Sequence, residues 1–290
     1  MKKVIIGLLG AIVLLIGMSL VCYPFISNYL MEQNQAGEIL TQKLSAENAD
    51  SEVVESALKS AREYNESLLG SVMLSDPFDP GFKETYDKDY SELLDLDGSG
   101  VMGSIEIPKI DVNLPIYHGT STKTLEKGAG HLQKTSLPIG GKNTHAVITG
   151  HSGLSTARLF TDLEQLSEGD IFFIYVLNQK LAYKVDNIEV VLPTETEDLR
   201  VVPEKDYVTL LTCTPYGKNT HRLLVRGERT DYEEAKEIAA NTQPVETTWL
   251  QQYKKALLIG AAVLLVTVFV FFIVKVIVKA IQNKKAKGNT

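Results

Sequence analysis

Cysteine is nearly absent from this chain: Cys22 and Cys213 are the only two in 290 residues. That excludes a disulfide framework. Cys22 ends an apolar run, so the two are not expected to pair with each other. Basic residues are also in deficit, 29 Lys and Arg against 36 Asp and Glu, for a formal net charge of −7. A nucleic-acid binder needs a basic face to neutralise phosphates, and no such face is concentrated here. Metal-site patterns are missing as well: there is no His-Glu-x-x-His, no paired cysteines and no histidine pair at helical spacing. Neither a phosphate-cradling glycine loop nor a dinucleotide fingerprint occurs, and there are no repeats or low-complexity tracts.

Lysine and arginine are absent from Cys22 to Gln42, between an apolar run at Val4–Val21 and the first interior lysine. A second apolar run spans Ala256–Val274, followed by Lys275, Lys279, Lys284, Lys285 and Lys287. Each run is close to the ~20 residues that cross a bilayer as a helix. With Lys2 and Lys3 before the first, the positive-inside rule predicts both termini in the cytoplasm and the middle outside the cell. The two lysines before the second run, Lys254 and Lys255, are outweighed by the five after it. Cleavage of the first run as a signal peptide lacks a small-x-small site, and Tyr23-Pro24-Phe25 is bulky. Cys213 then lies in an extracellular domain. There a free thiol risks oxidation, so it is either a buried structural cysteine or a nucleophile.

Between the runs the pattern changes twice. From Glu32 to Leu69 apolar residues recur at helical spacing (Ile39, Leu40, Leu44, Val53, Val54, Ala57, Leu58, Ala61), predicting one or two amphipathic helices docked on the main domain. Ser75-Asp76-Pro77-Phe78-Asp79-Pro80-Gly81 cannot continue a helix, and loop is expected to about Gly100. Beyond it come short runs rich in Val, Ile, Thr and Tyr: Gly103–Ile107, Val112–Tyr117, Ala146–Thr149, Ile171–Val176, Leu181–Leu192 (bent or bulged), Tyr207–Cys213 and Arg222–Glu228. Such spacing predicts an antiparallel barrel or sandwich. Short helices fit Thr122–Lys127 and Thr156–Leu163, and Asp231–Ala240 reads as an acidic helical linker.

Chemistry concentrates where Tyr207–Cys213 ends and the chain returns from Arg222. A thiol at a strand end is exposed enough to attack, and an arginine on the partner strand can favour the thiolate or bind an oxyanion. Alternation puts Tyr207, Thr209, Leu211 and Cys213 on one face. Either Arg222 or, one pleat further, Arg226 can share it. His151, in Thr149-Gly150-His151-Ser152-Gly153, lies at a strand end between glycines and is a candidate acid/base. By spacing alone it competes with His118, His131, His145 and His221, and with a purely structural role.

From about Gly103 to Arg229, with the segment before it, the chain resembles the sortase family. Thr-Leu-x-Thr-Cys is present as Thr209-Leu210-Leu211-Thr212-Cys213, and its continuation, Thr214-Pro215-Tyr216-Gly217-Lys218-Asn219-Thr220-His221-Arg222-Leu223-Leu224-Val225-Arg226-Gly227, is similar to class C members, which polymerise pilins. The resemblance implies Cys213, His151 and Arg222 as the catalytic set. It also implies a lid at Asp76-Pro77-Phe78, and Leu211, Thr212 and Ser152 as groove residues. Ser152 stands where class C members often carry arginine. The implied fold is mainly β, a closed sortase-type barrel with short helices, an N-terminal helical and lid segment, and a transmembrane helix at each end. The expected partition is 1–3 cytoplasmic, 4–22 first span, 23–74 extracellular helical segment, 75–100 lid and loop, 101–230 catalytic barrel, 231–255 linker, 256–274 second span and 275–290 cytoplasmic basic tail.

The implied reaction is cleavage of a Leu-Pro-x-Thr-Gly-like sorting signal between Thr and Gly through a thioacyl enzyme, followed by attack of a pilin lysine to leave an isopeptide bond. The implied partners are pilins and the lipid bilayer, with no cofactor and no metal. Three other readings remain: a sortase that anchors proteins to the cell wall, a secreted cysteine hydrolase, and a non-catalytic tethered β-module.

Overall fold

The computed structural model of the protein describes residues 2–68, 75–79, 81–82, 87–154, 157–248 and, beyond these, 251, 253–255, 257–262, 264–266, 269, 272–273 and 276, with side chains from residue 12 onward apart from 13, 14 and 20. Pro80, positions 69–74 of the expected helical segment, Thr156, much of the 256–274 run and nearly all of the basic tail lie outside the described residues. The chain divides into two units, Met1–Val245 and Glu246–Thr290.

The first unit holds eight strands: β1 Val101–Ile107, β2 Val112–His118, β3 Ala129–His131, β4 Thr144–Thr149, β5 Ile171–Val176, β6 Gln179–Val191, β7 Asp206–Thr214 and β8 His221–Thr230. They close a barrel in the order β1-β2-β3-β4-β7-β8-β6-β5. Seven coincide with the expected runs to within two residues at each end. The bend expected in β6 is a register shift between Val185 and Asn187 against β8. Strand β3 was not expected; its three residues are too few for any periodicity to register. The antiparallel expectation is corrected at two seams, because β2 pairs with β3 and β4 with β7 in parallel. The first needs a crossover, supplied by the helix at Thr122–Lys127.

Alternation sorts the strands into a filled interior and a covered exterior. Ile105, Ile116, Ile148, Phe172, Ile174, Val208, Leu210 and Val225 belong to the interior cluster. On the outside, Ile171, Phe173 and Ala182 are covered by Ala235 of helix α5 (Tyr232–Asn241), which Asp231 caps by accepting from the amides of Glu233 and Glu234.

Four further helices precede or interrupt the barrel: α1 Lys2–Asn48, α2 Ser51–Ser67, α3 Lys88–Glu92 and α4 Thr122–Lys127, the last as expected. The docked faces of α1 and α2 match the expected stripe in part: Val54 and Ala61 are buried and Ala57 and Leu58 pack on the core, but Leu40, Leu44 and Val53 are exposed, and Gln35, Gln42, Ala46 and Asn65, which lie outside the stripe, are buried. The barrel surface there presents backbone polar groups, which favours amides over aliphatics. Gln35 Nε2 donates to Lys127 O at 2.7 Å, and Asn65 bonds both N and O of Leu137. Helix α3 lies in the expected loop, capped by Asp87. The expected helix at Thr156–Leu163 does not form. Leu159 is left-handed (φ 43°), the chain turns, and only Leu163–Gln165 coils, as a 3₁₀ turn.

The first apolar run falls within α1. In the second unit the described residues from 253 onward are helical. Among the described residues no helix is long and apolar enough to cross a membrane.

Candidate active site

On the outside of the barrel β4, β7 and β8 lie side by side, and their register arranges side chains in rows. Val147, Thr209 and Arg226 form one row; Thr149, Leu211 and Leu224 the next. Cys213 then stands directly opposite Arg222, a position that holds Cβ atoms about 5 Å apart. His151 follows Thr149 by two residues, which brings the loop leaving β4 to the level of Cys213.

That loop is tied at several points. Gly150 N donates to Leu211 O at 3.1 Å, and Phe160 N donates to His151 O at 3.0 Å. Thr212 Oγ1 donates to Gly150 O at 2.7 Å, and Ser152 Oγ donates to Cys213 O at 2.7 Å. Gly150 has a steric reason: a Cβ there would sit 2.7 Å from the Phe160 ring. Thr212 and Ser152, expected in the groove, thus spend their hydroxyls joining the histidine loop to the cysteine strand, and alternation turns Thr212 away from the Cys213 face. Leu211 does lie on that face, in an apolar patch with Leu132, Val147, Leu199 and Leu224.

The segment expected as a lid covers this patch. Asp76 receives Arg222 through both carboxylate oxygens, Nε to Oδ1 at 2.8 Å and Nη2 to Oδ2 at 2.6 Å. Their side chains are only 7 % and 8 % exposed. Arg222 Nη1 donates to the carbonyls of Asn219 and His221. The Phe78 ring centroid lies 5.4 Å from that of His151, tilted by 47°, and 5.3 Å from Arg222 Cζ. Phe78 packs on the patch together with Val191, and Pro77 is buried. About 10 Å³ of free space remains beside Asp76 and Pro77, above Leu199, Leu211 and Leu224, room for no more than one water.

Burial dominates the electrostatics. Cys213 is 6 % exposed, and burial pushes its thiol up to about 11; Arg222 opposes this and Asp76 adds to it. Burial also lowers the His151 pKa, with Glu126 partly countering it. At neutral pH the covered site therefore holds a protonated thiol and a neutral imidazole. Arg226, the competing arginine, is held by Asp186 at 3.0 and 2.8 Å, with its Cζ 4.3 Å from the Tyr207 ring centroid.

The other histidines do other work. His131 is fully buried between Tyr90 Oη and Ser136 O, and His145 between Thr209 Oγ1 and Arg200 O. His118 faces the carbonyls of Gly100 and Leu93, and His221 lies against Thr220 Oγ1. Among the described residues no three His, Cys, Asp or Glu side chains are arranged to hold a metal ion. Sequence reasoning missed Leu199, which reaches the patch from a 3₁₀ turn before β7, and Leu132 and Val147 beneath Phe78. No local signal marks these residues, since only barrel closure assembles them.

A family model described as "Sortase domain" matches residues 105–230. The chain is 33 % identical over 131 residues to sortase A of Streptococcus agalactiae, a match covering 44 % of this chain and about half (52 %) of that protein. Among solved structures, sortase C-1 of Streptococcus pneumoniae is 46 % identical, covering 68 % of this chain and 99 % of that one, with a TM-score of 0.64. Sortase C-1 of Actinomyces oris is 49 % identical over 62 % of this chain and 99 % of that one, with a TM-score of 0.59. With its barrel, its cysteine facing an arginine and these relatives, the chain belongs to the sortase family of cysteine transpeptidases, among the class C members.

Proposed function

We propose that this protein joins pilin subunits outside the cell, with Cys213 as nucleophile, His151 as acid/base and Arg222 as the oxyanion or substrate partner. The observation that carries this reading is Cys213 facing Arg222 across β7 and β8, with Asp76 engaging Arg222 and Phe78 lying against Arg222 and His151. His151 takes the proton of the Cys213 thiol, and the thiolate attacks the Thr carbonyl of a Leu-Pro-x-Thr-Gly-like signal. His151 gives a proton to the departing glycine amine, leaving a thioester. A lysine amine of a second subunit then displaces the sulfur and leaves an isopeptide bond. The thioester stores the activation, so the residues named suffice for the chemistry.

Asp76-Pro77-Phe78 acts in this reading as an autoinhibitory lid, since an arginine engaged by a carboxylate is less available to a developing oxyanion. The similarity to solved sortases C favours pilins over cell-wall amines; one such structure is described as a pilus-related sortase C of group B Streptococcus. Membrane spans at 4–22 and 256–274, with both termini cytoplasmic, are supported by the apolar runs and the flanking lysines. Tethering would hold enzyme and membrane-bound pilin at high effective concentration.

The test is to incubate the protein with a Leu-Pro-x-Thr-Gly peptide, with and without a lysine-bearing pilin domain, and sequence what is attached to Cys213. A thioester ending in Thr, converted to an isopeptide by the pilin lysine and absent in C213A, is the expected result. Products ending only in water would make it a hydrolase, and preference for a cell-wall amine would make it an anchoring enzyme.

A further inference from the structure

Thr149 is wholly buried, and its hydroxyl has no hydrogen-bond partner among the described residues. This sets it apart from the threonines around it: Thr209 Oγ1 meets His145 Nε2 at 2.7 Å, and Thr212 Oγ1 meets Gly150 O. Its cross-strand neighbours explain the vacancy. Leu211 on β7 is apolar, and Gly130 on β3 has no side chain. Thr149 shares the outer face with Val147 and Leu211, one row from the row of Cys213 and Arg222 and two residues before His151. The lid residue that covers this patch, Phe78, offers only a ring. A buried hydroxyl left unpaired is costly.

We propose that Thr149 is a substrate-binding residue, whose hydroxyl pairs with a main-chain N–H or C=O of the acyl-donor peptide once that peptide replaces the lid. This rests on the functional reading above. Two strand residues separate its row from that of Cys213, about 7 Å. An extended peptide with its scissile carbonyl at Cys213 therefore brings to Thr149 a peptide group about two residues before the cleaved bond. The apolar patch beside Thr149 suits the Leu-Pro half of the signal, which places that half, not the leaving half, on this side. A hydroxyl both donates and accepts, so it recognises peptide backbone whatever side chain occupies the variable position. It also biases exchange toward substrate, because the closed lid leaves it unpaired and a bound peptide does not.

The experiment compares T149V and T149S with wild type in the full-length protein, and again in a D76A background in which lid closure is weakened. Steady-state kinetics use the Leu-Pro-x-Thr-Gly peptide, and thermal unfolding and iodoacetamide labelling of Cys213 are measured in parallel. T149V should lose about tenfold in kcat/KM, the loss of one hydrogen bond, in both backgrounds. Its melting temperature should be equal or higher and its labelling unchanged in D76A. T149S should stay within about threefold of wild type, less than the loss of a whole hydrogen bond. T149V turning over peptide as wild type does, or losing activity together with melting temperature, overturns the assignment of Thr149 alone. A wild-type enzyme that forms no acyl-enzyme overturns the functional reading and this inference with it.

Discussion

Each of the two arginines near the cysteine is held by a carboxylate, Arg222 by Asp76 and Arg226 by Asp186, so the role proposed for Arg222 rests on register. Both Arg222 and Arg226 lie on the Cys213 face of β8, four residues apart with Leu224 between them, and alternation cannot separate them. The structure gives Arg226 to Asp186 and the Tyr207 ring, and puts Arg222 opposite the thiol. R222A should therefore lower peptide turnover by about 10²-fold or more, the scale of losing one oxyanion partner. R226A should leave the chemistry near wild type and lower the melting temperature instead, since it strands Asp186 in a half-buried site. Single-turnover rates and thermal unfolding of both variants provide the check. A larger rate loss in R226A would exchange their roles.

One element, the segment around Asp76-Pro77-Phe78, engages Arg222 and lies against His151. It contributes a bidentate ion pair and an aromatic contact, together worth on the order of 2–3 kcal/mol once solvent can replace them. Removing either partner should raise the open population, and labelling of Cys213 by a thiol reagent should speed up by about 10–100-fold in D76A and F78A. The pH dependence has a definite sign. The Cys213 thiol is held up to about 11 mainly by burial, and the Asp76 carboxylate adds to the rise while Arg222 opposes it. D76A weakens both raising causes and frees Arg222, so its labelling profile should turn on at lower pH than that of wild type. Unchanged rate and midpoint in both variants would reduce the segment to an ordinary turn.

Across the whole molecule, two buried histidines link the barrel to acid. Burial drives the His131 pKa down to about 3 and the His145 pKa down to about 4, the latter helped by Arg226. In the unfolded chain each titrates near 6.5. The folded form stays neutral where the unfolded form binds protons, so stability is full above about pH 6.5 and falls as pH drops toward 4. Each group contributes a slope on the order of 1.4 kcal/mol per pH unit within that window. Chemical denaturation between pH 7 and 4 should show this loss, and H145Q should lessen its slope while leaving the His131 contribution. A flat profile in wild type would mean that one or both rings are protonated in the folded state.

Strand positions, the bulge in β6, helix α4, the helix after Asp231 and the cysteine motif were legible in the chain itself. Each is a local matter, arising from a two-residue or 3.6-residue period, a capping side chain or a contiguous motif. Beyond the reach of local pattern were the parallel seams, β3, the amide-lined docking of α1 and α2, and the turn that replaced a helix at Thr156–Leu163. These depend on which backbone groups the closed barrel leaves to be satisfied. The site divides in the same way. The residue types near Cys213 and the shared face follow from alternation, but the pairing of Arg222 with Asp76, 146 positions earlier, and the seating of Phe78 on Leu132, Val147 and Leu199 follow only from closure. Sequence determined the chemistry and the strands that carry it, because those are written in neighbouring residues. Tertiary structure decided which arginine faces the sulfur and what covers it, because both turn on contacts between segments far apart in the chain.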